Sequence, residues 1–220
     1  MSLKGLAYRF VPKSLVAELR HWKHVRDLKT ATEPEEAKIK SLILPGQTVL
    51  DIGANFGVFT KLFSQLVGPQ GSVISFEPVP QTYRTLAAGV ERLQLSNVKA
   101  MNKAVSDSVG TATMAVPQYK DSSGENLYES HIVDPDSEGA FTVETITVDS
   151  LQLKDVSFIK IDVEGHEIAV LRGSMETLRR CHPTLMVEVS SSGTTDVLCG
   201  ELGYNQPVVV SPSNQLFTYR

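Results

Sequence analysis

From residue 47 onward, short apolar runs alternate with amphipathic stretches long enough for three or four helical turns, and few folds satisfy that pattern. "TVLDI", "SVISFE", "VKAMNKAV", "VSFIKID" and "TLMVEVS" read as strands, and "VFTKLFSQLV", "PQTYRTLAAGVERLQL", "EIAVLRGSMETLRR" and "TTDVLCGELG" read as helices. Strands joined through helices form βαβ units with right-handed crossovers, so the pattern predicts an α/β fold with a mostly parallel sheet. "QPVVVS" and "NQLFTYR" follow each other without a helix, which predicts an antiparallel edge.

The preceding region has a different pattern. "KSLVAELRHWKHVRDLK" carries Leu15, Leu19, Trp22, Val25 and Leu28 at three- and four-residue steps, the spacing of an amphipathic helix. Trp22 is expected to pack in the core of this extension. A second helix is expected at "PEEAKIKSLI", opened by Pro34. The division is therefore an N-terminal helical extension over 1–45 and an α/β domain over 46–220. Inside the domain "VGTATMAV" and "FTVETITV" read as strands flanking a polar insert, 117–140, whose six acids face one lysine. Such a segment is either simply solvated or a substrate lid.

The chain's 220 residues, 41% of them hydrophobic, suffice for one proper core. A net charge of −4 argues against a nucleic-acid surface. Cys181 and Cys199 follow no metal or redox spacing and read as buried thiols of a reduced compartment. No run approaches the roughly 20 apolar residues of a membrane span, and the N-terminus lacks a signal-peptide pattern, so the expected location is cytoplasmic. A homo-oligomer is compatible with the sequence.

The first strand ends in "VLDIGANFG", where Gly53 and Gly57 make a turn into the next helix. In an open parallel sheet, ligands sit beyond such strand ends, at the point where strand order reverses. A dinucleotide would bring a pyrophosphate beside Asp51, and each like-charge contact at about 4 Å would cost on the order of 4 kcal/mol. The turn also lacks the G-x-G-x-x-G spacing. A cationic nucleoside fits better. S-adenosylmethionine has no phosphate and carries a sulfonium and an α-ammonium, which Asp51 could hold. Glu77, at the end of "SVISFEP", is placed to accept both ribose hydroxyls. Ala104, beyond the third strand, would leave room for adenine.

A second acidic cluster, "FIKIDVEGHE", ends the fourth strand with Asp162, Glu164, Gly165, His166 and Glu167. That strand is expected beside the first, so both ends would face one crevice. Lys160, inside the apolar run, needs a partner because a buried unpaired ammonium is costly. Glu188, on the neighbouring strand, is the expected one.

With "VLDIGANFGVFT", "VISFEP", "NKAVSDSVGTATM", "FIKIDVEGHEIAVLRG" and "PTLMVEV" in place, the chain resembles the FkbM family of S-adenosylmethionine-dependent methyltransferases over about residues 47–190. The resemblance implies a seven-stranded, doubly wound Rossmann-like sheet and methyl transfer to a hydroxyl oxygen, often of a sugar or polyketide. It implies cofactor contacts at Asp51, Gly53, Asn55, Gly57 and Glu77, with Ala54 and Pro78 in the same motifs, and places Asp162 near the methyl group and the acceptor.

Such a transfer needs in-line alignment and a group to take the hydroxyl proton. Asp162, Glu164 and His166 are the candidates for that base, and for His166 the sequence leaves base and helix cap equally open. His131, in the insert, and Glu188 stand as substrate-side candidates. A divalent metal on Asp162, Glu164 and an acid of the insert is a less favoured alternative. The rival readings are a non-catalytic binding protein on the same fold and a methyltransferase acting on another acceptor class. Asp51 speaks against a nicotinamide-dependent oxidoreductase, and the acidic balance speaks against a nucleic-acid methyltransferase.

Overall fold

In the computed structural model, residues 13–116, 131–133, 137, 139–189 and 193–219 are described. Most of the polar insert therefore lies outside the described residues. A seven-stranded sheet runs β10 (Val208–Val209), β11 (Asn214–Phe217), β9 (Thr184–Glu188), β8 (Phe158–Ile161), β1 (Thr48–Ile52), β2 (Ser72–Phe76), β3 (Val98–Met101). β3, β2, β1, β8 and β9 are parallel neighbours, while β11 is antiparallel to β9 and to β10. The expected antiparallel edge is present. Strand order reverses between β1 and β8, so the crevice expected in such sheets opens at their carboxyl ends.

The central strands are buried on both faces, as their near-continuous Val, Leu, Ile and Phe content requires. Leu50, Ile52, Ile159 and Ile161 face the core shared with the later helices. Val49, Val73 and Phe158 face the other layer, built on α3 (Val58–Val67), and Ile39 and Ile43 of the N-terminal region pack into it. Crossover helix α3 coincides with "VFTKLFSQLV", and α4 spans Pro80–Arg92 with its proline in the first turn.

Two expected elements are divided. "VKAMNKAV" is split at Asn102 between β3 and β4 (Ala104–Val105), and β4 belongs to a second sheet. The side chain of Asn102 donates to the carbonyls of Glu77 and Pro78, at 2.8 and 2.9 Å, and holds the chain at this crossing. The second sheet runs β4, β7 (Phe141–Ile146), β5 (Gly110–Ala115), β6 (His131–Ile132). "EIAVLRGSMETLRR" is likewise two helices, α5 (Glu167–Arg172) and α6 (Met175–Cys181). A Cβ at Gly173, between them, would lie 1.9 Å from the Ser106 carbonyl oxygen, so the break admits the chain that follows β4. The distant Asp149 caps α6, accepting from the Glu176 and Thr177 amides at 3.0 and 2.8 Å. Instead of one α-helix, "TTDVLCGELG" forms a short turn, α7 (Gly193–Thr195), that runs into a π-helical segment, Asp196–Glu201.

The extension departs from expectation in the face it buries. α1 (Lys13–Asp27) is helical, but Trp22 is 59% exposed, alongside exposed Leu15 and Leu19. Of the expected stripe only Val25 and Leu28 are buried, and they share their face with His21, about a third of a turn from the exposed residues. The helix docks on α4 rather than forming a core of its own. His21 Nδ1 pairs with Thr85 Oγ1 at 2.9 Å, Arg84 donates to Glu18 at 2.5 Å, and Leu28 rests against Gly89, where a Cβ would come within 2.5 Å. The second helical segment, α2, is a single turn, Glu36–Ile39. The buried Lys61 ammonium donates to the carbonyls of Leu28 (3.2 Å) and Ala31, past the end of α1.

Lys61→Met would leave those two carbonyls without their donor. A loss of roughly 1–3 kcal/mol in urea unfolding is expected, together with faster proteolysis after residues 23–29 than in the wild type.

Candidate active site

Asp51 and Lys160 are cross-strand neighbours in the β1–β8 register. Side chains on adjacent parallel strands at the same register point to the same face, and residues two apart on one strand do so as well. Asp162 follows Lys160 by two and therefore joins it. The Lys160 ammonium lies 3.0 Å from Asp162 Oδ2 and 3.9 Å from Asp51 Oδ1, donates to the Gly53 carbonyl at 3.2 Å and sits 5.1 Å above the Phe59 ring. The anticipated direct Lys160–Glu188 pair is not formed within 4 Å. Lys160 is satisfied by the two aspartates, and Glu188 hydrogen-bonds to Asp162 instead.

These contacts set the charges. Burial alone would lower the Lys160 ammonium, but Asp162 and Asp51 hold it above the ordinary lysine range. Burial opposes ionisation of Asp162, and Lys160 with the Glu188 hydrogen bond more than offsets it, so Asp162 stays an anion. Burial, and then the proton shared with Asp162, push Glu188 up to about 8. Asp51 is fully buried, accepts from Thr60 Oγ1 at 2.6 Å and is raised by burial against the pull of Lys160. It does not line the cavity described next. The carboxylate expected to hold an ammonium thus lies behind the turn, because its register gives it to Lys160.

The turn itself is forced by packing. Gly53 has φ +78, and a Cβ there would lie 1.7 Å from the Asp162 carbonyl oxygen, so glycine is what lets the β1 and β8 loops touch. Asn55 and Glu164 are also left-handed, each at φ 48, and both line the cavity. Asparagine tolerates that region; for glutamate it is a strained conformation held by the loop around it.

The cavity is an open cleft with about 630 Å³ of free space, its mouth included. It gathers Gly53, Asn55, Glu77, Pro78, Ala104, Asp162, Glu164 and His166 from the expected set. Ala54 and Gly57 belong to the turn without lining the space, Glu188 stands behind Asp162, and His131 is exposed on β6. The sequence reading missed Lys103, which is paired with Glu144, and the apolar wall of Met114, Ile132 and Val163. Met114 and Ile132 come from the second sheet; Met114 closes the "NKAVSDSVGTATM" motif without a ligand role signalled for it, and Ile132 lies in no motif.

Glu77 is 5% exposed and accepts from the Asn55 amide through Oε2 and from the Val79 amide through Oε1, both at 2.9 Å. Burial pushes it up to about 7 against those two bonds. Each carboxylate oxygen keeps a further lone pair for a hydroxyl. His166 occupies the N-cap position of α5 but makes no cap bond there. Glu167 accepts from the Gly165 amide at 2.8 Å within the preceding loop. The His166 Nε2 instead pairs with Ser106 Oγ at 2.9 Å.

Asp162, Glu164 and Glu188 each offer a carboxylate oxygen within 4.8 Å of one another. Oxygen donors suit magnesium in kind, but Lys160 already gives this cluster a resident cation.

The methyltransferase FkbM domain matches residues 51–202. The hexuronic acid methyltransferase AglP of Haloferax volcanii is 29% identical over 184 residues, covering 80% of this chain and 68% of that protein. The 31-O-demethyl-FK506 methyltransferase FkbM of Streptomyces tacrolimicus is 39% identical over 70 residues, covering 32% of this chain and 26% of that protein. The crystal structure of methyltransferase FkbM from Methylobacillus flagellatus superposes with a TM-score of 0.58 at 14% identity, over 91% of this chain and 59% of that one, which is a likeness of fold. No described helix is long and apolar enough to cross a membrane.

Lys160→Met would leave Asp51 and Asp162 facing each other without their cation, a change that typically costs about 3–5 kcal/mol. In urea unfolding at neutral pH, the double variant Lys160→Met/Asp51→Asn is expected to regain part of that loss.

Proposed function

The chain belongs to the FkbM family of S-adenosylmethionine-dependent methyltransferases, and on that premise we propose that it methylates a hydroxyl oxygen of a small molecule, with a saccharide or a polyketide as the favoured acceptor. The observation that carries this reading is the meeting of the Gly53–Asn55 turn, Glu77 and the Asp162–His166 loop around one cavity. A hexuronic acid methyltransferase and a demethyl-FK506 methyltransferase among the similar proteins support the acceptor class.

In this reading S-adenosylmethionine supplies an electrophilic methyl on a sulfonium. The Glu77 carboxylate accepts the ribose hydroxyls, Pro78 and Ala104 border the adenine, and Asn55 lines the nucleoside end. With Asp51 turned away, Asp162 is the carboxylate available to the cofactor's charged end, and Lys160 keeps it ionised without contacting ligand. Asp162, Glu164 and His166 surround the position of the acceptor oxygen, and one of them takes its proton. Lys160 already supplies the site's positive charge, so we infer that no divalent metal is needed. His131 and Glu188 stay outside the cavity, and neither is assigned a contact with the acceptor. The described part of the extension, residues 13–45, is joined to the glycine turn by the His24–Phe56 stack (4.0 Å between centroids) and acts as part of the same unit.

Titration calorimetry tests the cofactor site. S-adenosylmethionine and S-adenosylhomocysteine should bind, NAD should not, and Glu77→Ala should weaken adenosyl binding at least tenfold. Glu77 rises to about 7 in the free protein, and the ligand prefers its ionised form. Affinity should therefore strengthen roughly eightfold between about pH 6 and pH 7.5 in the wild type and stay flat in Glu77→Ala. Methyl transfer to glucuronic acid, galacturonic acid and a hydroxylated macrolide, each with and without EDTA, tests the acceptor class and the metal. Adenosyl binding without transfer to any hydroxyl would favour a binding module or another acceptor class.

A further inference from the structure

Ser106 follows β4 in "NKAVSD", is 6% exposed, and carries none of the roles assigned above. We propose that Ser106 is a positioning residue that fixes the tautomer of His166, so that His166 Nδ1 is the atom that removes the acceptor proton. The inference rests on the hydroxyl-methylation reading and deepens it by choosing among Asp162, Glu164 and His166.

Three observations lead there. The His166 Nε2 is 2.9 Å from Ser106 Oγ, so one ring nitrogen is committed to the wall. The Asp107 carboxylate lies 3.4 Å from Ser106 Oγ and is also held by Ser108 Oγ at 3.0 Å. An anion on that side draws the serine proton towards itself and leaves Oγ to accept from Nε2–H. The imidazole lone pair is then on Nδ1, in a ring that lines the cavity. Finally, the His166 side chain makes no cap bond to the first turn of α5, so its ring has no capping task.

Burial holds His166 below the ordinary histidine range, while Asp107 and Glu167 pull upward. Asp162 and Glu164 are the other titratable groups of the same loop in the cavity. A neutral imidazole at pH 7 is the form a base requires. In the transfer, the acceptor O–H bond breaks and its proton goes to Nδ1. The oxygen pair forms the new O–CH3 bond, and the C–S bond pair returns to sulfur. Positive charge passes from sulfonium to imidazolium, next to the Ser106–Asp107 dipole and anion, and the proton then leaves to solvent.

Ser106→Ala keeps the backbone bond from the Ser106 amide to the Ile146 carbonyl (2.9 Å) and the packing of Gly173 on its carbonyl. Nitrogen-15 NMR of histidine-labelled protein, without cofactor or acceptor, should show the Nε2–H tautomer for His166 in the wild type and a mixture in Ser106→Ala. With the acceptor found above, Ser106→Ala should lower kcat by roughly tenfold or more, leave S-adenosylmethionine affinity within about twofold, and be rescued by Ser106→Thr. An Nδ1–H tautomer in the wild type, or an undiminished kcat in a folded Ser106→Ala, would overturn the proposal. Failure of the underlying reading has a different signature: the expected tautomer is seen, yet no hydroxyl is methylated.

Discussion

One buried ammonium joins the two halves of this site. Lys160 reaches the Gly53 carbonyl on the β1 side and Asp162 on the β8 side, with Asp51 beneath. An ammonium in that position would be prohibitively costly without such partners, and the two aspartates would repel each other without it. The loops it joins are already in contact, with Gly53 against the Asp162 carbonyl and the Asp162 amide donating to Ile52 at 3.0 Å.

The surrounding acids divide into unlike roles because their environments differ. Lys160 keeps Asp162 ionised, whereas burial keeps Glu188 and Glu77 protonated to higher pH than ordinary glutamates. Carboxylates gathered in this way repel one another when ionised, and a cationic ligand would relieve that repulsion. That is the physical sense in which acids suit S-adenosylmethionine and would oppose a dinucleotide. Folding and binding therefore pull in opposite directions at Glu77: the carboxyl is easiest to bury when neutral and accepts hydroxyls best when charged.

Two outlying pieces pack around these loops, and one of them forms part of the cavity wall. The second sheet supplies Met114 and Ile132 from residues remote in sequence from either loop. The extension reaches the glycine turn through His24 on Phe56 and is fastened by Lys61 at the end of α1. Its exposed Leu15, Leu19 and Trp22 show that an apolar stripe does not by itself say which face of a helix is buried.

The sequence alone determined the βαβ alternation, the antiparallel edge and the two motifs at the strand ends, because each depends on local periodicity and turn chemistry. It also placed Gly53, Asn55, Glu77, Ala104, Asp162, Glu164 and His166 around one crevice. Tertiary structure decided what those side chains face. Register paired Asp51 with Lys160 and withdrew it from the cavity, and the crossing at Asn102 split one expected strand between two sheets. The approach of the chain after β4 broke the helix at Gly173 and brought Ser106 to His166. Strand register and close backbone approach are relations between distant segments, and no local pattern of residues encodes them.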